Sequence, residues 1–529
     1  MVDLEQFKLN KFQRFGRSIS RWFKNIPSRL KNFFCKKVPN FFVNIGLKIK
    51  KEFCSLYEAF KKGDYKTRTS FLIMGFGQLM RKQFFRGLLF LSFEVLFIVY
   101  MIGFGWKYLS LIGSLGEVAT QEIWNEEEQI YEYVIGDNSY LILLYFLITA
   151  FIMAAFIYVW RLNVKQNYTT QQLAEIGIKP KRVKDDLKSI GDSQYHKTLL
   201  AIPTLGLLMF TILPMVFMVL IAFTNWDAYH YPPKELFEWV SFNNFIDLFG
   251  GGVSQDSKLF FYTFKQVLLW TFIWAIFATF TNYFLGMVVA MLINKKGIKF
   301  KKLWRSVLVF TIAVPQFVSL LLISQLLQDN GAINVLLKDL GWINESIPFL
   351  SDGLFAKITV IIVNIWVGIP YTMLICTGIL MNIPDDLYES AKIDGASPIR
   401  MYLKITLPYM LFVTGPYLLS QFIGNINNFN VIYLLTGGNP GNLNYQFAGE
   451  TDLLITWLYK LTLNNSNYKM SAVIGIVVFV IIAVISLPLY SRTNAVKNEE
   501  DFRWLKLKSI EVKRQQEELK ILLFILYLQ

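Results

Sequence analysis

The sequence predicts an all-α integral membrane protein with about eight transmembrane helices. Of its 529 residues, 54% are hydrophobic and only 17% charged, where a soluble domain carries about a quarter charged. Apolar runs of about 20 residues, the length that crosses a bilayer, recur along the chain. The polar connections alternate between basic and Lys/Arg-poor, as loops on opposite sides of a membrane do.

The first 86 residues hold 20 Lys and Arg against 5 Asp and Glu, so they account for the whole formal net charge of +15. Phe12, Phe15, Ile19, Trp22, Phe23 and Ile26 recur at helical spacing with Arg14, Arg17, Arg21 and Lys24 between them. That pattern predicts an interfacial amphipathic helix ended by Pro27, with a second beginning after Pro39, neither spanning. A basic arm beside membrane spans suits anionic lipid rather than nucleic acid. The N-terminus lacks the short apolar core and small-residue site of a cleavable signal peptide.

Spans are expected at 87–105, 140–161, 198–224, 267–293, 305–328, 357–381, 409–435 and 470–490. The connections "NKKGIKFKKLWR" (294–305) and "NVKQNYTTQQLAEIGIKPKRVKDDLK" (163–188) are basic and should face the cytoplasm. "GEVATQEIWNEEEQIYEYVIGD" (116–137) has no Lys or Arg, and "WDAYHYPPKELFEWV" (226–240) has one, so both should lie outside. Eight spans then put both termini in the cytoplasm. Glu126, Glu127 and Glu128 read as a solvated loop. The apolar "ILLFILYL" (521–528) is too short to span. The domain organisation expected is a basic cytoplasmic or interfacial arm over 1–86, two peripheral spans and a linker over 87–197, a core membrane domain over 198–491 with a cytoplasmic loop at 382–408, and a cytoplasmic tail over 492–529.

Enzymatic chemistry is poorly provided for. Cys35, Cys54 and Cys376 are scattered, and His196 and His230 are the only histidines, so no metal site, cofactor or catalytic triad is expected. No phosphate loop of the form G-x-x-x-x-G-K-[ST] occurs. Glu94, inside the first span, is expected to stay protonated or to pair with Arg86, in a structural role.

The 382–408 loop is punctuated as two short helices. Asp385 and Asp386 follow Pro384 at a helix start, where the dipole favours acids. Gly395 provides a left-handed stop, Ser397 an N-cap and Pro398 the next first helical position. A soluble helix-turn-helix of this kind would bind DNA, but both ends here run into membrane spans. A projecting knob of this form suits a protein partner.

Three spans carry uncharged polar groups, which are functional candidates by default within a bilayer. Gln421, Asn425 and Asn428 are spaced four and three apart, predicting one helix face. Asn364, Gly368 and Tyr371 repeat that spacing. Pro315 frees backbone groups beside Gln316 and Ser319. Amides and a phenol hydrogen-bond without charge, and Trp366, Tyr371, Phe429 and Tyr433 offer flat apolar faces. Neutral polyhydroxylated rings need that combination; anions would need Arg or Lys, absent from these stripes. The competing reading is that such amides hold helices together.

Glu389-Ser390-Ala391, three residues, Gly395, nine residues and Ile405-x-Leu407-Pro408 resemble the EAA motif of ABC-importer permease subunits, E-A-A-x3-G-x9-I-x-L-P. Ser390 alone departs from it. The resemblance implies a type I importer permease fold. It also implies that this module is a coupling helix docking on a separate ATP-hydrolysing subunit, with Glu389 and Gly395 serving docking and turn. From about residue 68 to 503 the chain is similar to the larger maltose or maltodextrin permease subunit of Gram-positive type, through "AVPQF", "VNIWVGIPY", "NNFNVIYLLTGGNP" and "AGETDLLITWLY". That similarity implies sugar contacts at Gln316, Asn364, Val367, Gly368, Tyr371, Gly424, Asn425 and Asn428. Ile312, Gln316 and Gly424 stand where the related enterobacterial transporter has Tyr, Ser and Phe, and its long outer insertion is missing.

The expectation is a non-enzymatic transmembrane subunit of an importer for a neutral oligosaccharide, most simply maltodextrin. It would work by alternating access with a second homologous permease, two ATP-binding subunits and an extracellular sugar-binding protein. The rivals are the same machine with another oligosaccharide or a polyol, a membrane glycosyltransferase, and a secondary transporter or channel, which would place ionisable residues in its spans.

Overall fold

The computed structural model describes residues 38–126, 128–177, 191–192, 195–295 and 297–490. The amphipathic helix expected over 12–26, residues 178–190 of the basic inner loop, the 492–529 tail and the apolar 521–528 stretch lie outside the described residues. Among the described residues, six helices are long and apolar enough to cross a membrane: Phe84–Leu111, Ser139–Glu175, Tyr195–Ile221, Gln255–Asn294, Gly353–Leu380 and Tyr468–Pro488. Two of the eight expected spans are not continuous helices.

The first is the 305–328 segment. It forms helices Lys301–Ala313 and Gln316–Leu326, bent by 86° at Val314-Pro315. Proline donates no backbone hydrogen bond and pushes the preceding residue toward extended backbone; Val314 has ψ 127°. The second is the 409–435 segment. It forms helices Leu407–Ile426 and Phe429–Thr436, separated at Asn427-Asn428. Asn428 is extended, and its side chain accepts the Val431 N–H at 3.3 Å as the N-cap of the second piece. An amide that competes for backbone in this way favours a helix start over a helix interior.

The chain divides into two compact units, Met1–Leu220 with Tyr229–Trp239, and Ile221–Ala228 with Val240–Gln529. In the first, helix Val38–Lys62 carries Pro39 in its opening turn and leaves Val43, Leu47, Phe53 and Tyr57 exposed. Glu52 on this helix takes Lys165 Nζ at 2.5 Å and Arg161 at 2.8 Å from the Ser139–Glu175 helix.

A buried amide network then clasps the 64–81 segment to the same long helix. Asn163 donates to the Ser70 carbonyl at 2.9 Å and accepts from Gly75 N–H and Gln78, each at 3.0 Å. Asn167 donates to Gln78 at 2.7 Å and accepts from Arg81, which also reaches Asp64 at 2.7 Å. Mutual satisfaction makes such burial tolerable. Glu94, expected to be protonated or paired with Arg86, accepts the Met74 N–H at 2.8 Å. The acidic 116–137 connection contains a two-stranded antiparallel hairpin, Gln121–Asn125 with Ile130–Val134, and the acidic stretch read as a solvated loop falls between the strands.

The second unit is built on the seam between helices Gln255–Asn294 and Gly353–Leu380. One apolar layer gathers Trp270, Trp274, Ala278, Leu320, Val360, Val431, Ile432 and Leu453. Another gathers Tyr283, Met287, Ala290, Met373, Cys376 and Met410. The connection after Thr436 closes over this seam. Lys357 pairs with Glu450, and Lys460 pairs with the fully buried Asp452 at 2.6 Å. Gly438 has φ +83°, and a Cβ there would sit 1.9 Å from Asp452 Oδ1.

Hydrogen bonds from Lys165 and then Arg161 hold the Glu52 carboxyl below its ordinary value of 4.5. A lowered carboxyl pKa stabilises the native state above the unfolded value, and that contribution is lost as pH falls through the folded one. The tie between the two helices should therefore be intact at pH 7 and lost in acid below about 4.5. Because exposed ion pairs are weak, Glu52→Gln should speed hydrogen exchange in 38–62 by only a few-fold at pH 7. The same variant should lose the acid-dependent change.

Candidate functional site

The break at Asn427-Asn428 leaves helix-end groups that need partners. The protein supplies partners. Trp274 Nε1 donates to the Asn425 carbonyl at 3.1 Å. Asn425 Nδ2 donates to Thr279 Oγ1 at 2.9 Å, and Asn428 Nδ2 donates to Asn425 Oδ1 at 3.3 Å. The expectation of three amides on one helix face is thereby corrected. The Leu407–Ile426 helix ends before Asn428, which caps the next helix, while Gln421 is exposed on the first helix one turn before Asn425. Asn425 and Asn428 still meet, but across the break rather than along a face. Gly424, beside them, is exposed with open space at its Cβ position.

On the Gly353–Leu380 helix the expected residues divide. Gln316, Val367 and Tyr371 line one small concavity with Thr311, Ile312, Ser319 and Trp366. Tyr371 and Trp366 are each about half exposed there. Asn364 and Gly368 lie instead at the seam with the Gln255–Asn294 helix. Asn364 is 4% exposed and its Nδ2 has no hydrogen-bond partner. A Cβ on Gly368 would fall 2.0 Å from Asn282 Nδ2, and the buried Oδ1 of Asn282 is also unpartnered. Phe429 and Tyr433, expected as apolar faces, stack on each other at 4.7 Å with Tyr459 edge-on to both.

Sequence reasoning missed Trp274, Thr279 and Asn282, all on one helix. A signal existed: Thr279 and Asn282 are polar, three residues apart and inside an expected span. The residues named in these groupings supply amides, hydroxyls, a phenol and an indole face, and none of them is Lys or Arg. Among the described residues, no group of three His, Cys, Asp or Glu could hold a metal ion.

The 382–408 loop forms the two short helices expected, Asp385–Ile393 and Pro398–Met401. Gly395 has φ +70°, and the chain reverses through Gly395 N–H to Lys392 O at 3.0 Å and Ala396 N–H to Ala391 O at 2.9 Å. Ser397 caps the second helix and Pro398 takes its first position. Glu389 and Ser390 face outward while Ala391 is half-buried. Ile393 and Ile399 are 87% and 72% exposed, so an apolar surface sits on a polar module. A π-helical turn, Tyr402–Thr406, joins the module to the Leu407–Ile426 helix, with Ile405 and Leu407 half-buried and Pro408 exposed in its first turn. Tyr388 and Thr406 hydroxyls hydrogen-bond at 2.9 Å across this junction.

Residues 282–493 match the family model described as the binding-protein-dependent transport system inner membrane component. The chain is 33% identical over 437 residues to the maltodextrin transport system permease protein MdxF of Bacillus subtilis (strain 168), covering 81% of this chain and 95% of that protein. It is 31% identical over 430 residues to the galactooligosaccharides transport system permease protein GanP of the same organism, covering 81% and 97%. To the maltose/maltodextrin transport system permease protein MalF of Klebsiella aerogenes it is 35% identical over 229 residues, 42% of this chain and 44% of that one.

The Gly368–Asn282 contact yields a test. Overpacking a close seam costs about 1–3 kcal/mol, so Gly368→Ala should reduce transport about tenfold or more. If the glycine serves to admit Asn282, adding Asn282→Ala should recover most of that loss. Transport rates of the two single variants and the double variant decide it.

Proposed function

The chain belongs to the permease subunits of binding-protein-dependent ABC sugar importers, and from that premise we propose its cargo, its path and its contacts. The protein is a multi-pass membrane subunit of an ATP-driven importer, with ATP hydrolysis performed by separate subunits. Its cargo is a neutral oligosaccharide, most simply a maltodextrin. The features that support this reading are two uncharged groupings within the apolar helices: the concavity lined by Gln316, Val367, Tyr371 and Trp366, and the Asn425–Asn428 pair at the helix break. Amides match sugar hydroxyls, and Trp366 and Tyr371 match the C–H faces of the rings.

Val367 shares the concavity with Gln316 and Tyr371, and the open space at Gly424 leaves room for a bulky ring. The buried Asn364 reaches cargo only after the seam between the long helices opens, and the buried Asn425 only after the Leu407–Ile426 helix parts from the Gln255–Asn294 helix. That requirement fits alternating access, in which the cavity is assembled in one state and closed in another.

The coupling surface is the 385–408 module. Its exposed Glu389, Ile393 and Ile399 meet an ATP-binding subunit, Gly395 sets the turn, and Ser390 and Ala391 complete the packed face. The Ile405-x-Leu407-Pro408 segment delivers movement to the following helix. A second homologous permease, two ATP-binding subunits and an extracellular sugar-binding protein complete the machine. The core permease domain runs over 198–491, with two peripheral helices before it, and both termini lie in the cytoplasm. The basic arm over 1–86 rests on anionic lipid, which its exposed apolar residues and lysines suit.

One observation favours a second cargo. The galactooligosaccharide permease GanP matches this chain nearly as well as MdxF does, and a galactooligosaccharide is also neutral and polyhydroxylated. Uptake of labelled maltotriose in cells with and without the gene separates the two. Uptake should disappear with the gene, and only α-linked glucans should compete. Competition by galactooligosaccharides alone would reassign the cargo while leaving the importer reading in place.

Coupling has its own test. Gly395→Val forces a β-branched residue into left-handed backbone, at about 1–2 kcal/mol. It should lower transport about tenfold or more with the subunit still inserted, as should Glu389→Lys. Normal transport by both variants would remove this module from the mechanism.

A further inference from the structure

The Gln121–Asn125 and Ile130–Val134 hairpin is covered on neither face. Every residue of its second strand is exposed, as are four of the five in its first. The register places Trp124 opposite Tyr131 and Glu122 opposite Tyr133, so these four side chains share one face. The Trp124 and Tyr131 rings meet at 4.9 Å and 64°, and the Glu122 carboxylate across from Tyr133 raises the pKa of that phenol. Tyr131 and Tyr133 remain 64% and 66% exposed. The opposite face carries Ile123, Ile130 and Val134, each about half exposed.

The hairpin base is clamped. Asp137 accepts from Glu117 N–H at 2.9 Å, Gly136 N–H reaches Thr120 Oγ1 at 3.2 Å, and Thr120 N–H reaches the Pro233 carbonyl at 3.1 Å. A two-stranded hairpin with nothing on either face is marginal in water. Aromatic side chains held ready on a clamped scaffold are the residue types that anchor interfaces.

Charge selects the occupant. Residues 108–160 contain no Lys or Arg, while Glu117, Glu122, Glu126, Glu127, Glu128, Glu132 and Asp137 fall within them. An anionic lipid surface repels such a segment, and so does a second copy of it. A free sugar gains nothing from the acids. What complements acidic residues around an aromatic centre is a protein surface with Lys and Arg around an apolar patch.

We propose that this hairpin is a docking surface for the extracellular sugar-binding protein, through a basic patch of that protein. The proposal rests on the importer reading above, which places the hairpin outside and supplies the partner. The rings anchor the complex and the acids steer its formation, so association should weaken as salt screens them.

The test uses the complete importer in lipid nanodiscs with its own binding protein. Two variants are compared with the parent: Trp124→Ala with Tyr131→Ala, and Glu122→Gln, Glu126→Gln, Glu128→Gln with Glu132→Gln. The aromatic variant should bind at least about tenfold more weakly. The charge variant keeps every ring, so it stays informative if the other fails to assemble. It should associate about tenfold more slowly and lose most of its salt dependence.

Hydrogen exchange at 121–134 in the parent should slow only when binding protein is added. Three results would overturn the inference: parent-like binding by both variants, full protection in nanodiscs without the binding protein, or protection by maltotriose alone. An unmodified importer that neither bound the binding protein nor imported sugar would remove the importer reading as well.

Discussion

A helix broken inside an apolar layer must have its freed backbone groups satisfied by the protein itself. That constraint governs the second unit. At Asn427-Asn428 the break is met by Trp274 on the Asn425 carbonyl, by Asn425 on Thr279 and by Asn428 on Val431 N–H. These bonds draw the Gln255–Asn294 helix against the break. The Asn428 side chain caps the freed Val431 N–H, while the Asn425 side chain ties the break to Thr279. Both amides are also among those proposed to meet the cargo, so one pair of residues would serve the break and the path.

The Leu407–Ile426 helix connects the break to the 385–401 module. From Leu407 to Ile426 it runs 20 residues, about 30 Å at 1.5 Å per residue. One end is joined to the 385–401 module through Tyr388 and Thr406, and the other stops at the amide pair. A single element thus connects the module with that pair. Asn364 Nδ2 and Asn282 Oδ1, near the neighbouring seam, have no hydrogen-bond partner.

Much of this was legible in sequence because it follows from local rules. Gly395 at positive φ, the Ser397 cap and Pro398 at a first helical position depend only on nearby residues, and the 385–401 module formed as those residues specify. The six unbroken spans followed from length and hydropathy. Pro315 announced a disturbance, though not a bend of 86°. What sequence could not show depends on tertiary partners. Helical periodicity placed Asn428 on a face with Asn425. The chain instead stops the helix there, because a cap and Trp274 make stopping affordable within the membrane. Asn364 looked available for cargo, yet it is buried at a seam set by Gly368 and Asn282. Asn163 and Asn167 form a clasp whose other half lies some 90 residues earlier, beyond the reach of any local pattern.

The central claim is that sugar passes the polar layer between the broken helices. A maltotriose carrying a photoreactive group, crosslinked in the assembled importer during turnover and mapped by peptide mass, tests it directly. The account predicts adducts within 311–319, 363–374 and 421–430, suppressed by excess unlabelled maltotriose. Import that continued normally while suppressible adducts formed only outside these three segments would contradict it.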